Sequence, residues 1–257
     1  MKTAMQRSVR WIFLLLLGYV NAWAQSEVTI VRGDENYPPY EMMVDGKLTG
    51  LHTDLVNAVA AKIGAKVTWK SVPWKRALTM VETGAADGVT YIAKSPEREA
   101  WAIFIEDNLL SSTKINFIVL KENVGKVNYD GNLAKFLETH TPIMIRGFAF
   151  GSDLIDKGKK IETDNAEQLV KMLKAKRSDI GLINWSDFVG AFKDKPEMKE
   201  IAPLSPPASE TKNCIAFSKA KKDEDLAKRF GVAMKAFKKT PEYKALLKHY
   251  ELGATLE

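Results

Sequence analysis

The stretch VPWKRALTMVETGAADGVTYIAKSPEREAWAIF, Val72 to Phe104, changes its period twice, and the order of those changes decides the class of fold. Trp74 to Thr83 reads as a helix that starts at a turn marked by Pro73, and Asp87 to Thr90 reads as a strand. Toward the N-terminus, Lys66 to Val72 reads as a strand, Thr53 to Ile63 as a helix capped by Thr53, and Val28 to Arg32 as a strand. The resulting βαβαβ order predicts an α/β protein with largely parallel sheets.

In the other direction Lys114 to Leu120 is strand-like, and the loop KENVGKVNYDGN then breaks every periodicity with glycine and asparagine. A second α/β unit follows, with Pro142 to Arg146 as strand and Ser152 to Lys157 as a short helix. Asp164 is the expected N-cap of a helix to about Lys176, with Glu167 three residues on. Ile180 to Asn184 reads as strand and Ser186 to Phe192 as helix; the proline-rich IAPLSPPASE interrupts, and Lys212 to Ser218 leads as a strand into basic terminal helices. Two units joined by two crossover segments predict two lobes, residues 25–114 with 212–257 and residues 115–211. A cleft between them is where a small molecule would sit.

The first 24 residues carry Lys2, Arg7 and Arg10, an apolar run from Trp11 to Val20, and the small-x-small site Ala22-Trp23-Ala24. That is the pattern of a cleaved signal peptide, and it predicts a periplasmic protein. Without those three cations, 35 basic residues face 32 acidic ones, a balance of +3 that gives no reason to expect nucleic acid. One cysteine, Cys214, allows no internal disulfide, so about 233 mature residues must be held by their core, and a monomer is expected. Leu226, Phe230, Met234 and Phe237 recur at helical spacing within a lysine-rich tail whose acids interrupt the basic face, which predicts a solvated amphipathic helix rather than a membrane-binding one.

Ligands of open α/β sheets sit beyond strand ends, which directs attention to GDENYPPY, TYIAKSPER, RGFAFGS and NWSD. These loops supply the flat faces of Tyr37, Tyr40 and Trp74, the cations Arg98 and Arg146, and the carboxylates Asp34, Glu35 and Asp187. Arg98 is the strongest candidate, because a guanidinium binds a carboxylate through two parallel hydrogen bonds. The plain alternative is a surface ion pair with Glu97 or Glu99. Core packing competes for Tyr37 and Trp74, and an ordinary turn competes for Arg146 and Gly147. His52, His140 and His249 are scattered, with no metal-ligand spacing, no phosphate loop and no nucleophile elbow, so neither metal nor cofactor nor catalytic residue is expected. His52 reads as a first-turn helix residue and Cys214 as a small buried hydrophobe.

The segments YPPYEMMVDGKLTGLHTDLVNAVAAKIG, VPWKRALTMVETGAADGVTYIAKSPEREAWAIF and RSDIGLINWSDFVG resemble the periplasmic solute-binding proteins of ABC importers, in the class that binds polar amino acids. The resemblance runs over nearly the whole mature chain. It implies a two-lobed, hinged Venus-flytrap fold, each lobe a mostly parallel sheet flanked by helices. It also implies a protein that captures a small amino-acid-like carboxylate and hands it to a membrane permease, rather than an enzyme. It puts Arg98 on the ligand's α-carboxylate, Tyr37 and Trp74 on the stacking walls, Thr90 and Tyr91 beside the carboxylate, Asp34 near the ligand's side chain, and backbone N–H groups of Gly147 and Phe148 on the same carboxylate. One position departs: where relatives usually place an aspartate for the ligand's ammonium, this chain has Asn184. Either Asp187 or Asp34 then supplies the charge, or the ligand is not a simple α-amino acid. Two other roles use the same scaffold, a cyclohexadienyl dehydratase-like enzyme with Asp187 as its acid, and a sensor module.

Overall fold

The computed structural model describes residues 26–252, so the expected signal peptide lies outside the described residues. The first unit comprises β1 (Ser26–Gly33), a hairpin of β2 (Met42–Val44) and β3 (Lys47–Thr49), α1 (Leu51–Lys62), β4 (Ala65–Val72), α2 (Trp74–Glu82), β5 (Gly88–Ala93), α3 (Pro96–Glu99) and β6 (Ala102–Ile103). The long β7 (Leu109–Leu120) leads into α4 (Leu133–Thr139), β8 (Ile143–Ile145), α5 (Asp153–Asp156), β9 (Ile161–Thr163), α6 (Ala166–Lys174), β10 (Gly181–Asn184), α7 (Trp185–Phe192) and β11 (Ile201–Pro203). The chain returns through β12 (Ser209–Ser218) to α8 (Glu224–Phe237) and α9 (Pro241–His249).

The fold is the expected two-lobed α/β arrangement, with one refinement. Parallel pairing holds within β4-β1-β5 and within β10-β8-β9, but the crossover segments are themselves strands, antiparallel to their neighbours. They join everything into one ten-stranded sheet in the order β4-β1-β5-β12-β7-β10-β8-β9, with β6 on β12 and β11 on β7. The cores stay separate even though the sheet does not. Leu110 of β7 packs with Val28, Leu55 and Phe230, whereas Ile115, Phe117 and Val119 of the same strand pack with Phe136, Met144 and Leu182. A strand that serves two cores is fixed at both ends and free to bend between them.

Local chemistry moved several boundaries. Helix α1 begins at Leu51, not Thr53, because Gly50 is its N-cap with φ 124°. A Cβ at Gly50 would lie 2.2 Å from the Tyr40 carbonyl oxygen, so only glycine fits. The cap of α6 is Asn165 rather than Asp164; its side chain accepts from the Gln168 N–H at 2.9 Å, while the Gln168 side chain accepts from Thr163 Oγ1 and the Asp164 N–H just ahead of the cap. Helix α8 buries Leu226, Phe230, Met234 and Phe237 as its spacing predicts, each apolar side chain contributing about 1.5–3 kcal/mol relative to exposure. Among the described residues no helix is long and apolar enough to cross a membrane.

Candidate functional site

Arg98 is held by the short helix α3, whose N-cap Ser95 accepts its backbone N–H at 3.3 Å. The surface alternative fails on geometry: Glu99 pairs with Lys94 at 2.7 Å, and Arg98 turns inward to 6 % exposure. Its guanidinium donates to the Ala93 carbonyl and the Gly147 carbonyl, each at 2.6 Å, and lies 5.9 Å from the Trp74 ring centroid. No carboxylate lies within 4 Å of it among the described residues. Burial pulls its pKa down to about 10, so it stays charged at neutral pH. A buried cation resting on two neutral carbonyls retains most of its desolvation cost, which an anion against it would offset.

Arg98 lies on a cavity of about 60 Å³ between the lobes, walled by Tyr37, Trp74, Tyr91 and Phe148. That is room for about four waters. Trp74, at the first position of α2, donates its indole N–H to the Gly147 carbonyl at 3.1 Å and meets the Phe148 ring edge-on at 6.0 Å. Gly147 is the joint on which both side chains converge, with φ 77°.

The wall across from Arg98 is set by a β-bulge. The pairing of β5 with β12 slips between Ile92–Cys214 and Val89–Ala216, so that Thr90 and Tyr91 together oppose one residue of β12. Tyr91 takes φ 58°, which leaves the strand's alternation. Its ring is edge-on to Tyr37 at 5.3 Å and to His52 at 4.9 Å, and its hydroxyl lies 2.6 Å from both carboxylate oxygens of Asp187. Asn184, the N-cap of α7, accepts from the Asp187 N–H and from Ser186, and its amide donates to the Tyr91 hydroxyl at 3.3 Å. Burial pushes the Asp187 pKa up to about 7; the Tyr91 hydroxyl opposes the shift and Glu41 adds to it.

The floor comes from the two crossover strands, with Thr113 and Ile115 of β7 and Thr211 and Asn213 of β12 facing the cavity. Beneath it lies a buried charge cluster: Arg32 donates to Glu41 at 3.1 Å, His52 Nδ1 is 3.4 Å from Glu41, and His52 Nε2 is 3.0 Å from Ser111 Oγ. Burial keeps His52 neutral. Burial also works against charge on Glu41, but the His52 and Arg32 contacts outweigh it and hold the carboxyl below its ordinary range.

Of the expected site residues, Arg98, Tyr37, Trp74, Tyr91, Phe148, Asn184 and Asp187 meet at this cavity. Three expectations need correction. Thr90 is fully buried toward Glu41 and does not line the cavity, because the bulge gives that place to Tyr91. Asp34 is exposed and outside it. Gly147 meets Arg98 through its carbonyl, and the Phe148 N–H closes a turn on the Ile145 carbonyl at 3.1 Å, so the Phe148 N–H is not free for the expected anion contact. His52 lies in the first turn of α1 as expected, and its ring is buried in the charge cluster; Arg146 is engaged by Glu162 and Asp164. Glu41 and the floor residues escaped sequence reading, since a hydroxyl or amide inside a strand carries no motif.

Fold and site together define a two-lobed α/β architecture with a small cavity at the strands that join the lobes. The chain belongs to the bacterial extracellular solute-binding proteins, family 3, whose model matches residues 29–253. It is 28% identical over 117 residues to the probable amino-acid-binding protein YxeM of Bacillus subtilis (strain 168), a match covering 40% of this chain and 44% of that relative. Solved structures share its fold: a histidine kinase sensor domain with similarity to periplasmic binding proteins (TM-score 0.75, 18% identity, 91% of this chain and 99% of that one) and an ancestral arginine-binding protein bound to arginine (0.70, 21%, 88% and 98%). The substrate binding protein of an amino acid ABC transporter matches at TM-score 0.68 and 18% identity, over 88% of this chain and 99% of that one.

Proposed function

We propose that this protein captures a small carboxylate-bearing, amino-acid-like solute between its lobes in the periplasm and delivers it to the membrane permease of an ABC importer. The observation that carries this reading is Arg98, a buried guanidinium on the cavity wall with two carbonyl contacts and no carboxylate partner. The solute's carboxylate takes its forked donors, and Trp74, Tyr37 and Phe148 cover its apolar part. The lobes divide as 25–114 with 212–257 and 115–211, and they close about β7 and β12. Tyr91 and Trp74 on one lobe already reach Asp187, Asn184 and Gly147 on the other, contacts that a closed form needs. Ligand then shifts the open–closed equilibrium by its differential affinity for the closed form.

The test is titration calorimetry of the mature protein against a panel of small carboxylates, followed by small-angle scattering with the best binder at saturation. A smaller radius of gyration is the expected result, and binding without compaction would sink the hinged reading. A dehydratase-like enzyme is the second reading, favoured by one observation: Asp187 is a buried carboxyl facing the cavity, with a pKa raised to about 7, and so suited to protonating a leaving hydroxyl. Turnover of prephenate would establish it over simple capture.

A further inference from the structure

Four polar side chains stand on one face of the ladder that joins the lobes. In its antiparallel register Ser111 of β7 faces Asn213 of β12 and Thr113 faces Thr211, and the two-residue period of a strand turns all four to the same side. Thr113, Thr211 and Asn213 line the Arg98 cavity, each no more than 5 % exposed. The direction of their hydrogen bonds is set by the charge cluster beneath. His52 is neutral and its Nδ1 faces the Glu41 carboxylate at 3.4 Å, so the ring proton sits on Nδ1 and Nε2 is an acceptor. Ser111 Oγ, 3.0 Å from Nε2, donates its one proton there and can only accept from Asn213. The Asn213 amide nitrogen therefore gives its two hydrogens to Ser111 Oγ and Thr113 Oγ1, each at 3.1 Å. Two groups are left for the cavity, the Asn213 carbonyl oxygen as an acceptor and the Thr113 hydroxyl hydrogen as a donor. Thr211 adds a buried hydroxyl with no partner among the described residues.

The charges around the cavity leave one cation unmatched. Glu41 also lines it, but its carboxylate is paired with Arg32 at 3.1 Å. Asp187 has the Tyr91 hydroxyl 2.6 Å from both oxygens, and burial keeps it protonated up to about pH 7. The Asn184 amide is occupied by Tyr91, Ser186 and the Asp187 N–H. With Arg98 charged, a monoanion makes the cavity neutral. A zwitterion brings an ammonium for which the walls hold no unengaged carboxylate, and a buried charge without a partner is costly. A hydroxyl is donor and acceptor at once, so it satisfies the Asn213 carbonyl and the Thr113 hydroxyl together without a charge. The space, about four waters' worth, suits a carboxylate with a hydroxyl on the neighbouring carbon. We propose that the two crossover strands form a subsite for a neutral hydroxyl, so that the solute is a 2-hydroxy acid whose carboxylate meets Arg98 and whose hydroxyl is read by Thr113 and Asn213. This rests on carboxylate capture by Arg98.

Two matched triplets test this by calorimetry on the mature protein at pH 7: 2-hydroxybutyrate, 2-aminobutyrate and butyrate, and 3-phenyllactate, phenylalanine and 3-phenylpropanoate, each chiral probe as both enantiomers. Within a triplet only the group beside the carboxylate changes, from hydroxyl to ammonium to hydrogen. The hydroxy acid should bind at least about tenfold tighter than both its counterparts, because a buried donor or acceptor left unmade costs on that order. Thr113→Val keeps the shape and removes the hydroxyl; it should bring the hydroxy acid down to the level of the parent acid and leave the parent unchanged. Asn213→Asp puts a carboxylate on the floor and should turn the preference toward the amino acid. An amino acid or parent acid that binds the wild type as tightly as its hydroxy counterpart overturns the proposal, whether or not either variant folds. An equal loss for hydroxy and parent acid in Thr113→Val overturns it too. If no probe of either triplet binds, carboxylate capture by Arg98 falls with it, which is a different result from capture without preference for the hydroxyl.

Discussion

Two buried arginines stand a few residues from the same cavity, and they are surrounded in opposite ways. Arg32 is wholly buried, donates to Glu41 at 3.1 Å and to Ser71 Oγ at 3.2 Å, and binds the Glu35 carbonyl. Arg98 is almost as buried, yet rests on two carbonyls with no carboxylate within 4 Å among the described residues; Asp156 and Glu97 act on it only from farther off. The protein completes one charge internally and gives the other only neutral carbonyl contacts. Burial alone therefore says nothing about function; the missing counter-charge does.

The comparison breaks most easily at Arg32. Arg32→Leu leaves the buried Glu41 carboxylate with only His52 beside it and should cost about 3–5 kcal/mol, a fall in melting temperature on the order of 10 °C by scanning calorimetry. Arg32→Leu with Glu41→Leu should recover much of that loss, and additive losses would mean the pair is not coupled. Arg98→Lys should do the reverse, leaving the unliganded melting temperature near the wild-type value while weakening solute binding at least about tenfold, because lysine cannot fork. A variant that binds at wild-type affinity would return Arg98 to a structural role. The smallest effect concerns pH. The folded protein holds the Asp187 proton up to about pH 7, while the unfolded chain releases it near the ordinary carboxylate value of 3.8. Stability contributed by this group is thus present at low pH and falls as pH rises through about 7. The wild type should lose more melting temperature than Asp187→Asn between pH 4 and pH 7; parallel curves would show that Asp187 does not titrate there.

The alternation of β and α from Val28 to Thr90 was legible because each element carries its own period, and Arg98 was legible because a lone arginine sits in a recognisable loop. What escaped depends on partners distant in sequence. The bulge that exchanges Thr90 for Tyr91 is a mismatch between β5 and β12, more than 120 positions apart, and no local pattern marks it. The helix-start position of His52 was legible, but its burial against Glu41 and Ser111 was not, because those partners lie outside α1. The β2–β3 hairpin had a readable signal in Asp45-Gly46, both of positive φ, and was overlooked because its strands are three residues each. Helix α4 begins directly after a stretch of glycine and asparagine and is only seven residues long, too short to show a period of its own although Asn132 caps it, accepting from the Lys135 N–H at 3.1 Å.

The return of the chain through β12 has a mechanical consequence. Tyr250, near the last described residue, donates its hydroxyl to Asp54 at 2.5 Å and accepts the Gly50 N–H at 3.1 Å, so the last helices are fastened to the start of α1 beside β1. A tension applied between Ser26 and Leu252 runs through those fastenings and through β1, whose eight residues pair in parallel with β4 and must be sheared together. The segment between β7 and β12 hangs outside that line of force until β12 is peeled from β5. Stretched from these two points, the molecule should give way in two lengths, the segment carrying Gly147 and Asp187 extending second, with a rate set by its own unfolding barrier.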